Sequence, residues 1–188
     1  QKEGNKNKFR LNGGIGIVAS RLLLEGPLKK GKGSFLFGGR STYAHLFLPL
    51  FDIKNIAYFY DLNTKLSYRF NENNKIFLSG YFGRDVFSVS NSFKNIYGNS
   101  VLNFRWNHLF SEQLFSNLSL IYSDYYYGLD LNFVGFEWNS GIKNMNIKFD
   151  LKNFLSDKYS LEYGVHCTNH NFNPGIIEPN SPTSGINR

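Results

Sequence analysis

Tyr58 to Phe70 reads YFYDLNTKLSYRF. Tyr58, Tyr60, Leu62, Thr64, Leu66, Tyr68 and Phe70 are the odd members of this stretch, and Phe59, Asp61, Asn63, Lys65, Ser67 and Arg69 are the even ones. In an extended chain, successive side chains point to opposite sides. Strict alternation over this length therefore predicts a β-strand with one apolar and one polar face. Wound into a helix, the same charges would scatter around the axis.

The period of two recurs along the chain. Ser100, Leu102, Phe104 and Trp106 alternate with Val101, Asn103, Arg105 and Asn107. Leu118, Leu120 and Tyr122 alternate with Asn117, Ser119 and Ser123. Tyr159, Leu161, Tyr163, Val165 and Cys167 alternate with Ser160, Glu162, Gly164, His166 and Thr168. Further strands are expected near 14–26, 33–43, 75–86 and 135–151, and no stretch has the spacing of an amphipathic helix.

The connections carry a second pattern. PLKKGK (27–32), NENNK (71–75), SEQ (111–113) and NFLSDK (153–158) are short and polar. Between them the reading places longer connections, roughly 44–55, 87–97 and 125–133, and a tail after His170. Short turns at one end and long loops at the other describe an antiparallel up-and-down meander. Transmembrane β-barrels have this arrangement.

Composition narrows the class. The chain has 188 residues, 41% hydrophobic and 18% aromatic, with 19 Phe and 12 Tyr. Aromatic rings bring large apolar area, and Tyr adds a polar tip suited to a boundary between oil and water. The formal net charge is +7, which admits nucleic acid, anionic lipid or an acidic ligand as a partner. A single cysteine, Cys167, excludes an internal disulfide. No apolar run approaches the ~20 residues of a spanning helix.

Alternation alone leaves two barrels open. A soluble ligand-binding barrel is apolar inside, and an outer-membrane barrel is apolar outside. Three features favour the membrane. The strands are long. Tyr58, Tyr60, Tyr122, Tyr125 to Tyr127 and Trp138 concentrate toward strand ends, where aromatic girdles sit. Asp61, Lys65, Arg69, Arg105 and Glu162 keep off the apolar faces, as lipid requires of charge. The fold expected is all-β: an antiparallel up-and-down transmembrane β-barrel of about eight strands.

Four chemical readings compete with this one. Asn12 to Gly26, NGGIGIVASRLLLEG, has the glycine spacing of a dinucleotide-binding loop. That motif needs a strand before it, a helix after it and an acidic residue about 20 positions on. Here Pro27 and a Lys-Gly turn follow, and after Glu25 the next acid is Asp52. The stretch is instead read as one strand kinked by glycine. In HCTNH, His166 and His170 share a face but stand roughly 13 Å apart in a strand, too far for one zinc ion. No metal or cofactor is expected. The GRD at Gly83 to Asp85, and Asp124, lack a base or nucleophile at readable spacing, so no enzyme is expected. Lys29, Lys30 and Lys32 form a solvated turn without the basic-aromatic face of a nucleic-acid site.

Several stretches, taken in order, carry a resemblance: SRLLLEGPLKKGKGSFLFGGRSTYAHL (20–46), LSGYFGRDVF (78–87), LNFRWNHLFSEQLFSNLSLIYSDY (102–125) and NHNFNPG (169–175). Together they resemble the barrel of a TonB-dependent outer-membrane transporter. The branch is the Bacteroidota type, with a carboxypeptidase-regulatory-like domain ahead of the plug. The resemblance implies that residues 1–188 are a partial β-barrel domain, part of a barrel of about 22 strands filled by a plug. It implies nutrient import (a siderophore, glycan, peptide or similar) across the outer membrane of a Gram-negative bacterium. It also implies contact with outer-membrane lipid and lipopolysaccharide, with the receptor's own plug and with TonB. No residue here matches the plug or the TonB box. Asp61, Asn63, Lys65, Ser67 and Arg69 are the lumen-facing candidates for ligand contact. Two other readings stand beside it: a self-contained eight-stranded outer-membrane protein with a structural or adhesive role, and a soluble ligand-binding barrel. A descending first strand (14–26) and an ascending last strand (158–170) would put both termini at the long-loop end.

Overall fold

The computed structural model describes residues 3–51, 55–90 and 92–179. Among them, nine strands form one antiparallel sheet whose spatial order is the sequence order. They are β1 (Arg10–Ile15), β2 (Ala19–Lys29), β3 (Gly33–Thr42), β4 (Ile56–Arg69), β5 (Asn74–Val89), β6 (Phe93–Leu109), β7 (Leu114–Leu131), β8 (Phe136–Phe154) and β9 (Ser160–Pro179). Each pairs with the next, and β1 and β9 are the two edges. The only helical pieces among the described residues are the short 3-10 turns Ala44–Leu46 and Leu48–Phe51, between β3 and β4.

The all-β, up-and-down expectation therefore holds, and four details differ. The stretch expected as one glycine-kinked strand is a hairpin. Gly13 and Gly14 lie in β1, and the chain reverses where the Gly16 amide donates to the Ala19 carbonyl at 2.9 Å. No helix follows those glycines, so the dinucleotide motif lacks its phosphate-binding element. There are accordingly nine described strands instead of about eight.

The loops expected at 87–97 and 125–133 are mostly strand. The β5–β6 reversal centres on Ser90, which adopts a φ of 47°, and the Ser92 amide donates to the Val89 carbonyl. Residue 91 lies outside the described residues. The β7–β8 reversal uses Gly135 at a φ of 77°. Left-handed backbone lets two long strands join through a tight turn, so polar composition there did not mean a loop. The tail after His170 likewise continues β9 to Pro179. In the expected 44–55 loop, residues 52–54 lie outside the described residues.

The chain ends also differ. β1 rises from the end of the sheet that holds the short turns, so residues 3–9 lie at that end and Pro179 at the other. Residues 3–9 and Pro179 thus lie at opposite ends of the sheet, not at one end. Residues 3–9 form a strap: the Lys6 carbonyl accepts from the Gly31 amide at 3.2 Å. Gly4 is buried so closely on β3 that a Cβ would stand 2.1 Å from the Phe35 carbonyl oxygen.

The two faces of the sheet have opposite character. Register puts Leu62 opposite Phe82, and Leu66 opposite Leu78 and then Phe104, Leu120, Ile147 and Cys167. This apolar face is the exposed one: Leu62 is 41%, Leu102 52% and Met145 59% accessible. The polar face is covered in part, with Asp61 at 6% and Ser67 at 2%, while Asn63, Lys148 and Glu162 on it are exposed. Phe77 and Val86 are the only buried hydrophobic residues among those described. The accessible surface is 12890 Å². A globular protein of this mass exposes about 9,200 Å². The sheet has no apolar core of its own.

From β5 to β9 along the apolar face, the first polar residue beyond the hydrophobic section shifts, whereas on β2 and β3 it is Ser20 and Ser41, level with Arg84. On β5 it is Arg84. On β7 it is Asp124, whose ladder leads through Ser100 to Phe82. On β9 it is Asn169, whose ladder leads through Met145, Tyr122 and Leu102 to Gly80. In the register of β5 the boundary moves from 84 to 82 to 80, two residues per two strands.

Candidate functional site on the polar face

The five residues singled out on β4 share the polar face, as their alternation requires. They do not form one site. Asp61 forms a salt bridge with Arg40 on β3, and the Asn63 amide reaches the Asp61 carboxylate at 3.4 Å. The Ser67 hydroxyl is hydrogen-bonded to that of Ser34 at 2.9 Å. Lys65 stands 5.9 Å from the Phe77 ring, and Arg69 is exposed at the short-turn end. They mark successive levels of one wall.

The neighbouring strands complete that wall. From Ser67 a single ladder runs through Phe77, Arg105, Ser119 and Lys148 to His166. A cavity of 580 Å³ opens over β6 to β9, lined by Arg105, Asn107, Asn117, Asp150 and His166 among others. Lys148 pairs with Asp150 at 3.2 Å, and Lys152 pairs with Glu162. Charge is therefore concentrated on the polar face, where much of it is paired even at exposed positions. Arg40, Phe77, Lys75 and Lys148 were not singled out from the sequence. The parity of β3, β5 and β8, read against β4, would have placed them here.

The other candidates are dispersed. His170 Nδ1 meets Asn144 Oδ1 at 2.5 Å, and His166 Nε2 meets the Thr168 hydroxyl at 3.2 Å. Cys167, between them, is exposed opposite Ile147 on the apolar face. No group of three or more His, Cys, Asp or Glu that could hold a metal occurs among the described residues. Asp124 lies 3.6 Å from Lys143. Asp85 is on the polar face and Arg84 on the apolar one, so the GRD splits across the sheet.

The aromatic clusters at strand ends need one correction. Tyr58, Tyr60, Tyr122 and Tyr126 are on the apolar face, and Tyr60 packs 5.9 Å from Phe82. Tyr125, Tyr127 and Trp138 are on the polar face, where Tyr127 and Trp138 stack at 5.5 Å. Consecutive residues of a strand cannot share a face, so a Tyr-Tyr-Tyr run divides. A second aromatic row sits at the short-turn end. It holds Tyr68 with Phe70, and Trp106, His108 and Phe110 stacked along β6.

Comparison with protein-family models, curated proteins and solved structures gives no significant match.

Proposed function

We propose that this chain is a section of the barrel wall of a TonB-dependent outer-membrane transporter that imports a nutrient and is not an enzyme. The apolar face would meet lipid and lipopolysaccharide. The polar face, with Asp61, Asn63, Lys65, Ser67 and Arg69, would face the plug and the ligand path.

One observation carries this reading: the drift of the polar boundary by about one residue per strand from β5 to β9. With about 3.3 Å per residue and about 4.8 Å between strands, that drift corresponds to a strand tilt of about 35°. Strands in membrane barrels tilt by about 35–45°. A level slab of lipid crossing tilted strands meets each one a residue further along, so the drift is what a membrane would select. The apolar section of β7, Leu118 to Tyr122, is flanked by Ser116 below and Asp124 above, with Trp106 opposite Leu118. The 18 residues of β7 exceed the ~9–11 that cross a bilayer, so its upper half stands clear of the lipid.

A self-contained outer-membrane barrel is the second reading, favoured by the strictly sequential strand order. Unpaired edges are not tolerated in lipid, so in either case β1 and β9 must find partners. The intact mass of the native protein, extracted from the outer membrane and identified by peptides from this stretch, separates the two. A mass several times 21.7 kDa, with a plug upstream, is expected. A mass near 21.7 kDa would replace the transporter with the small barrel.

A further inference from the structure

Three cations converge on one ring of the polar face. Around Phe77 stand the Arg105 guanidinium at 4.4 Å, the Lys75 ammonium at 4.6 Å and the Lys65 ammonium at 5.9 Å from the ring centroid. They come from β4, β5 and β6. The ring face attracts each cation, but three like charges this close repel one another. The Arg105 Nε atom is buried and has no hydrogen-bond partner.

One anion is already present. The strap delivers the Glu3 carboxylate, which meets the Lys75 ammonium at 2.5 Å and the Lys6 ammonium at 2.8 Å. We infer that Lys75 and Lys65, gathered beside Phe77, form with Lys6 a carboxylate-binding site whose occupant is Glu3 of the chain's own N-terminal strap, while Arg105 stands across the ring without contact to Glu3. The site fixes where the polypeptide ahead of β1 crosses onto the polar face. Gly4, which has no room for a Cβ on β3, and the Lys6–Gly31 hydrogen bond set the path that brings Glu3 there. Burial would by itself raise the Glu3 pKa, yet hydrogen bonds from Lys6 and Lys75 and their charge hold it at about 2.

The inference does not depend on the transport reading, because it concerns the strap and the wall alone. Its test is amide hydrogen exchange of residues 3–9 in the intact native protein held in detergent micelles, comparing wild type with Glu3→Gln, Lys75→Met and a control, Lys158→Met. Glu3→Gln and Lys75→Met are expected to speed exchange in the strap at least about tenfold, the size of a lost charge-assisted hydrogen bond. Lys158→Met, in the β8–β9 turn, should leave it unchanged. Glu3 lies outside every strand, so Glu3→Gln remains readable if Lys75→Met disturbs folding. Strap exchange at the wild-type rate in Glu3→Gln would overturn the site.

Discussion

Arg40 on β3 stands directly opposite Asp61 on β4 and closes a salt bridge with it, leaving Asp61 only 6% exposed. The Arg40 side chain keeps 61% of its own surface in contact with solvent and also lies over the Phe59 ring at 5.3 Å. Arg40→Ala would leave a buried carboxylate with only the Asn63 amide beside it. The expected cost is about 1 kcal/mol, the low end for an unpaired buried charge because the partner is exposed. Adding Asp61→Asn to Arg40→Ala should recover most of it. Urea unfolding of the full chain in micelles measures both, and an Arg40→Ala loss below about 0.3 kcal/mol would remove the pair as a stabilising element.

Leu120 and Ile147 face each other in the middle of the apolar section. In lipid vesicles, Leu120→Arg should cost about 2–4 kcal/mol. Asn63→Lys, exposed on the opposite face, should change stability by less than about 0.5 kcal/mol. If Leu120→Arg proves as harmless as an exposed leucine in water would suggest, the apolar face does not meet lipid.

Cys167 gives a chemical reading of the same question. In the membrane-embedded protein, a water-soluble maleimide should leave Cys167 unmodified. Glu162→Cys, placed on the polar face in a Cys167→Ala background, should react rapidly. Equal labelling of the two positions would mean that both faces are wet.

The strap should respond to acid. Glu3 is faced by Lys6 of its own segment, Lys75 of β5 and, further off, Lys65 of β4. Its folded pKa, about 2, lies below the ordinary 4.5. A depressed carboxylate stabilises the folded form above the ordinary value, and that stabilisation is lost as pH falls toward the folded one. Protection of residues 3–9, corrected for intrinsic exchange, should therefore decline between pH 4.5 and about 2. In Glu3→Gln it should be low and flat over the same range.

Gly33 is buried at the start of β3, where an added Cβ would stand 2.5 Å from the Tyr68 ring and 2.9 Å from the Ser67 carbonyl. Backbone cannot move aside as a side chain can. Gly33→Ala should cost about 1–3 kcal/mol through overpacking, read again by urea unfolding. Gly31→Ala should also destabilise, for a different reason: open space surrounds Gly31, but its φ of 72° strains any other residue.

Alternation by itself determined most of the strands and which residues of Tyr58 to Arg69 share a face, because a period of two has one reading once a strand is long, and the spacing of connections added the antiparallel succession. Asp61, Lys65 and Arg105 could be placed together on the polar face from that period alone. Loops were less legible. At Ser90 and Gly135 a turn is made by one residue of left-handed backbone, and polar strand residues around it look the same as loop. The three-glycine opening was misread because the hairpin turn at 16–18 lies inside an apolar stretch without polar punctuation. What only the tertiary structure decided is which residues meet. Register brings Arg40 to Asp61, and three separate strands bring Lys65, Lys75 and Arg105 to one ring. The strap then carries Glu3 from one end of the sequence to Lys75 on the fifth strand. Such pairings depend on the alignment of strands with one another, a long-range property that no local period encodes.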